Sequence, residues 1–215
     1  MKLKLIFILL LIISSKSIFS QEKVNNTGDL LSEASDNGRI ENGVYVCNRF
    51  DWKIDIPQGY EVTSLKRVEE LDKKGFEAIK KELPNGIQIR PNPPHLIGFS
   101  MDKRNTFSST FEPLEGTIKM TLEESKNFIA TLLNDTYSKI QGIKFELNKS
   151  DLKIGKYDFY KIQVKIYNAK TDELIMTQEV YNCFVQNNLF SSAINYSAEN
   201  TRQVMTDNFI KSLSN

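Results

Sequence analysis

The chain alternates between stretches of period two and stretches of helical period. Asp51-Trp52-Lys53-Ile54-Asp55-Ile56-Pro57 puts Trp52, Ile54 and Ile56 on one side, which predicts a strand half buried against a core. Pro57 ends it and Gln58-Gly59 turns the chain. Over 67–83 the period changes: Val68, Leu71, Gly75, Phe76, Ile79 and Leu83 share one stripe, with Glu69/Lys73, Glu70/Lys74 and Glu77/Lys81 as i,i+4 pairs. That pattern predicts an amphipathic helix whose charges are a solvated face, ended by Pro84-Asn85-Gly86. Between 87 and 112, Pro91, Pro93 and Pro94 interrupt the chain, then Ile97, Phe99 and Met101 alternate as one strand, and a second short strand is expected around Phe107. Residues 112–116 read as a loop.

A second helix begins at Thr121. The hydroxyl there and Glu124 three residues on form a capping box, in which two free backbone N–H groups are satisfied reciprocally. Phe128, Ile129, Leu132, Leu133, Tyr137 and Ile140 form its buried stripe, and Gly142 follows. The rest reads as a meander. Ile143, Phe145 and Leu147 alternate with polar residues, as do Tyr160, Ile162, Val164 and Ile166. A long strand follows over 174–186, Asn187-Asn188 makes a two-residue turn, and 189–196 returns. A closing helix over 201–213 turns Met205, Phe209 and Leu213 inward. Helices before and after an antiparallel sheet imply an α+β fold with helices packed on the sheet.

The N-terminus changes the compartment expected. Lys2 and Lys4 precede an apolar run over 5–13, and Ser14, Ser15, Ser17 and Ser20 follow. This is the order of a secretory signal peptide over 1–20. The apolar run is shorter than the about 20 residues of a membrane span, which weighs against the alternative of an N-terminal anchor. No cysteine lies near the exit, so no lipoprotein anchor is expected. Residues 21–43 are polar and read as a flexible tail, leaving 44–215 as a single domain.

Removal of Lys2, Lys4 and Lys16 with the signal leaves 25 basic against 27 acidic residues. A near-neutral balance gives no electrostatic reason to expect a nucleic-acid partner. The secreted or periplasmic setting permits a disulfide between Cys47 and Cys183. Two separate buried thiols are the alternative, since bonding geometry is not written in a sequence.

Candidate chemistry is sparse. His95 is the only histidine, so a metal site with two imidazoles is excluded. Its plainest reading is a loop or partly buried residue; a Cys–His pair with Cys47 or Cys183 has only composition behind it. There is no Cys-x-x-Cys, no Gly-x-Ser-x-Gly elbow and no phosphate-binding loop. Glu69/Glu70 and Glu123/Glu124 are accounted for by lysine partners and by the cap. Asp51 and Asp102 lack the pattern of a calcium loop. Trp52 reads as a core anchor, and a groove lined by Tyr181 and Tyr196 is a weaker alternative. No catalytic, cofactor-binding or metal-binding residue is assigned, and no cofactor is expected.

Four segments, in order, are similar to those of one superfamily. Trp52-Lys53-Ile54-Asp55-Ile56-Pro57-Gln58-Gly59-Tyr60 resembles the opening of PsbP-like domains, a strand closing on Pro, any residue, Gly, aromatic. Asp102-Lys103-Arg104-Asn105-Thr106-Phe107 resembles their mid-chain segment, Thr121 to Asp135 their central helix, and Asn208-Phe209-Ile210-Lys211-Ser212-Leu213 their closing helix. The superfamily includes the PsbP extrinsic proteins of photosystem II, DcrB-like bacterial lipoproteins and Mog-type Ran-binding proteins. The resemblance spans about 48–215, with no counterpart for 66–95. It implies an α/β/α sandwich around an antiparallel sheet, and a non-catalytic binding, assembly or chaperone role.

Composition, motifs and resemblance together lead to an expectation of an exported, non-catalytic binding or assembly module of the bacterial cell envelope. Its partner would be a protein or envelope component, with no stable membrane insertion once the signal is cleaved. Two alternatives stand beside it. A small-ligand or lipid carrier would show an apolar cavity of about 300 Å³ or more. A carboxylate-based hydrolase would show convergent acids in a pocket.

Overall fold

The computed structural model describes residues 37–79, 94–114 and 120–214. The expected signal peptide, most of the expected tail, and the Pro-rich stretch after the first helix lie outside these residues. In chain order the elements are β1 (Gly38–Glu41), β2 (Val44–Cys47), β3 (Lys53–Asp55), β4 (Glu61–Val62), α1 (Leu65–Ile79), β5 (His95–Ser100), β6 (Thr106–Pro113) and α2 (Leu122–Tyr137). They are followed by β7 (Ile143–Ile154), β8 (Tyr157–Asn168), β9 (Leu174–Val185), β10 (Asn188–Tyr196) and α3 (Glu199–Leu213). Seven strands form one antiparallel sheet in the order β4-β5-β6-β10-β9-β8-β7, and β1-β2-β3 form a small second sheet. Helices α1 and α2 lie on one face of the large sheet; α3 and the small sheet cover the other. The expected α+β architecture, a sheet between helical layers, is the one observed.

Each face has its own core, as two-sided burial of a sheet requires. On the α3 side, Phe50 stacks on Trp52 and on Phe111, and Phe190 meets Trp52 edge-on with ring centroids 5.0 Å apart. Phe209 of α3 completes the cluster with Phe107, Phe159 and Tyr181. Trp52 is the anchor its alternation implied, and its indole N–H donates to Ser212 Oγ at 2.9 Å. On the other side, Ile129, Leu132, Leu133 and Tyr137 of α2 pack on Tyr160, Ile162, Val164, Ile166, Met176 and Val180. The Thr121–Glu124 capping box that starts α2 is formed as expected.

Several boundaries differ from the sequence reading. Glu112 and Pro113, read as the start of a loop, are the end of β6, which pairs with β10 along its whole length and is not short. Order begins before Val44: Gly38–Glu41, assigned to the tail, is strand β1. The cause is Asn42-Gly43, both at positive φ (51° and 78°), the conformation a two-residue hairpin turn requires. The hairpin is held by Tyr45, whose hydroxyl donates to Asn37 O at 2.9 Å. The β9–β10 turn falls at Gln186-Asn187 rather than Asn187-Asn188, with φ of 48° and 61°. In β5, a bulge between His95 and Gly98 turns both Leu96 and Ile97 inward, so the alternation of Ile97, Phe99 and Met101 is incomplete and Met101 is exposed.

Candidate functional site

Strands β6, β10 and β9 occupy the middle of the large sheet, yet their sequences are not apolar throughout. Ser108-Ser109-Thr110 and Ser191-Ser192 place small hydroxyl residues where a doubly covered sheet ordinarily carries Val or Ile. Register then aligns polar residues from successive strands into two rows on the face under α1 and α2, since directly opposed residues share a face.

The first row is complete in itself. Tyr137 of α2 donates its hydroxyl to Gln178 Oε1 at 3.1 Å, Gln178 Nε2 donates to Asn195 Oδ1 at 3.0 Å, and Asn195 Nδ2 donates to Thr106 Oγ1 at 2.9 Å. Burial raises the Tyr137 pKa, so its phenol stays neutral and remains a donor. This row is a structural tie between α2 and three strands.

The second row crosses six strands: His95 of β5, Thr110 of β6, Ser191 of β10, Asn182 of β9, Tyr160 of β8 and Asp151 of β7, each directly opposite the next. Its ends are tied to the helices. Asp72 of α1 meets His95 Nε2 at 2.6 Å, and Lys126 of α2 donates to Asp151 at 2.8 and 2.9 Å. Tyr160 and Ser125 share a hydroxyl–hydroxyl bond of 2.8 Å.

The centre of this row is different. Ser191 Oγ donates to Asn182 Oδ1 at 2.5 Å, but Asn182 Nδ2 and Thr110 Oγ1 have no hydrogen-bond partner among the described residues. Neither do Ser108 Oγ, two residues along β6, and Asp72 Oδ1. Asn182 and Thr110 are 0% and 1% exposed. An unpaired buried polar group costs about 1–3 kcal/mol, so four of them together are an appreciable burden. Ser108 and Thr110 line, with Ser191, Val180 and Ala193, a narrow gap that has no room for a water molecule. The arrangement offers hydrogen bonds; no nucleophile is engaged by a base, since the Thr110 hydroxyl is not bonded to His95.

The opposite face carries a polar cluster of another kind. Glu179 is 1% exposed and accepts from the Tyr181 hydroxyl at 2.6 Å, from Gln163 Nε2 at 2.8 Å, and from Lys161 Nζ and the Tyr196 hydroxyl at 3.4 Å. Burial, then the Glu179 charge, pushes the Tyr196 pKa up to about 12. Both tyrosines are buried as Glu179 donors, so they line no groove, and the weaker reading of them is corrected. Each oxygen of this carboxylate is occupied, and no second acid converges on it among the residues bonded to it.

The remaining residues singled out in the sequence are accounted for. Cys47 and Cys183 are free thiols, both buried, and burial raises the Cys183 pKa. Burial also works against the Asp102 carboxylate. Hydrogen bonds from the Arg104 amide and from the Asn105 side chain and amide outweigh it and hold its pKa below the usual range. Asp102 thus closes a turn. Among the described residues no group of three His, Cys, Asp or Glu side chains could hold a metal ion, and no helix is long and apolar enough to cross a membrane. His95, read as a loop or partly buried residue, opens β5 and pairs with Asp72, which the charged pattern of α1 concealed. The hydroxyl doublets in β6 and β10 were the available signal for the second row.

No family model matches the chain, and no curated protein does. Among solved structures, the chain is similar to the solution structure of cyanobacterial PsbP (CyanoP) from Synechocystis sp. PCC 6803, with 11% identity and a TM-score of 0.48 over 80% of this chain and 88% of that one. A likeness of that size says nothing about ligand or activity.

Proposed function

We propose that the protein is an exported, non-catalytic binding module of the bacterial cell envelope, and that it takes its ligand or partner on the second polar row. The observation that carries this reading is the contrast between two neighbouring rows of one sheet face. One is closed by its own hydrogen bonds; the other leaves Thr110 Oγ1 and Asn182 Nδ2 unpaired at its centre. A fold that needed only stability would fill these positions with apolar side chains. The alternatives have less behind them. The gap beside Ser108 and Thr110 has no room for a ligand, where a lipid carrier requires an apolar cavity of about 300 Å³ or more. The buried Glu179 carboxylate is occupied by four donors, where a hydrolase needs an acid free to move a proton.

The test is retention of an envelope component by the immobilised protein, compared with Thr110→Val. The expected result is retention by the parent chain and its loss in the folded variant. Turnover of any substrate that is abolished by Asp72→Asn or Glu179→Gln without unfolding would overturn the non-catalytic reading.

A further inference from the structure

The two ends of the large sheet are unlike. At one end β4 spans only Glu61–Val62. At the other, β7 runs over Ile143–Ile154 and pairs with β8, and no described strand lies along its outer edge. An open edge of that length is a template for another strand, and proteins ordinarily blunt it by shortness, proline, a bulge or charge. Strand β7 contains no proline, and its register with β8 is unbroken. Charge is the safeguard left, and here it has both signs: Lys144, Glu146, Lys149, Asp151 and Lys153. Such a strand repels a second copy of itself in some registers and attracts it in others.

Two copies of β7 laid side by side and antiparallel are related by a two-fold axis perpendicular to the sheet. The pairing is then centred on one residue, and residues equally far from it on either side oppose one another on the same face. Centred on Phe145, every position from Ile143 to Leu147 meets a suitable partner. Lys144 opposes the second copy's Glu146 and Glu146 its Lys144, Ile143 and Leu147 oppose each other, and Phe145 opposes itself. Opposed Cβ atoms lie about 5 Å apart, close enough for each of these contacts. Centring on Glu146 sets like charges together, and centring on Leu147 or Asn148 sets Phe145 against Lys149 or Asp151. Centring on Ser150 matches Lys149 with Asp151 but sets Leu147 against Lys153.

The side chains are placed for this register. Ile143, Phe145 and Leu147 are half-buried against the core under α2, and the Phe145 ring lies 5.7 Å from that of Tyr137. A second copy would cover what α2 leaves open. Lys144 and Glu146 are exposed on the opposite face. Lys144 donates to Asp172 at 2.6 Å, and Glu146 accepts from the Tyr167 hydroxyl at 3.2 Å. An ammonium has three donors and a carboxylate about four acceptor sites, so each retains capacity for a partner across the seam. We propose that β7 joins two copies of this chain edge to edge over residues 143–147, making one sheet continuous through the pair. The proposal is independent of what the second polar row holds.

Sedimentation velocity of the full chain, purified after export, tests this. So short a seam belongs to the weak class of interfaces, and the expected result is a reversible monomer–dimer equilibrium with a Kd of about 10–100 µM. Glu146→Lys and Lys144→Glu, both at exposed positions, each set like charges together twice and should weaken self-association at least about tenfold. Mixed in equal amounts, those two variants should associate with each other as tightly as the parent chain does with itself, because every lysine again faces a glutamate. Lys66→Glu and Glu69→Lys, at exposed positions of α1, make the same charge changes away from β7 and should each leave association as in the parent. A parent chain that stays monomeric up to about 1 mM overturns the proposal. So do β7 variants that associate like the parent, a mixture no more associated than its components, or loss of association in the α1 variants.

Discussion

Asn195 shows how one side chain can join three strands. Its amide donates to Thr106 while its carbonyl accepts from Gln178, which in turn accepts from Tyr137 of α2. Replacement by Leu keeps the volume but strands the Gln178 amide in a buried site, so Asn195→Leu should lower unfolding free energy by about 2 kcal/mol in urea titration. At this scale the sequence was legible where a side chain's role follows from period. Trp52, Phe209 and Leu213 were read as core and are core. It was opaque where the role depends on residues far apart in the chain. Asp72 carries no mark of its own in the charged pattern of α1, and only the fold places His95 of β5 beside it. Glu179 gave no signal, because its donors come from β8, β9 and β10.

Helix α2 is the element whose ends and face were written most plainly. Thr121 Oγ1 accepts from the Glu124 amide at 3.1 Å, and Glu124 returns the bond to the Thr121 amide at 2.7 Å. Thr121→Ala removes half of that exchange and should cost about 1 kcal/mol of stability, read from chemical denaturation. The helix holds apolar residues of β8 and β9 in place, so the loss should reach the whole sheet rather than fray one end. Hairpins were legible in proportion to their turn chemistry. Asn42-Gly43 carried the signal for β1–β2, but the polar surroundings masked it. Gln186-Asn187 lacks glycine, and its position was missed by one residue. The bulge in β5 had no sequence mark at all, although it is what lets His95 face Thr110 while Leu96 and Ile97 both stay inside.

The described residues are built on one large sheet with two unlike faces, an aromatic core under α3 and the small sheet, and a mixed apolar and polar core under α1 and α2. Both bury weak acids. Burial raises the pKa of Tyr137, Tyr160 and Tyr181, and of Cys183; Tyr196 moves from 10.0 to about 12. A group whose folded value is raised contributes stability that is complete below its unfolded value and is lost as pH climbs toward the folded one. The fold should therefore keep its stability up to about pH 9 and lose it steadily above pH 10, checked by the urea midpoint across that range. Fold class was readable because alternation and helical period are local. The second polar row was not, because it exists only once six strands are in register. The most direct measurement of the central claim, that this row is built for a ligand rather than for stability, is the unfolding free energy of Thr110→Val in the absence of ligand. The account predicts a value equal to that of the parent chain or higher by about 1 kcal/mol, since the variant removes a buried hydroxyl that has no partner; a loss of about 1 kcal/mol or more would contradict it, by showing that the hydroxyl is already bonded within the fold.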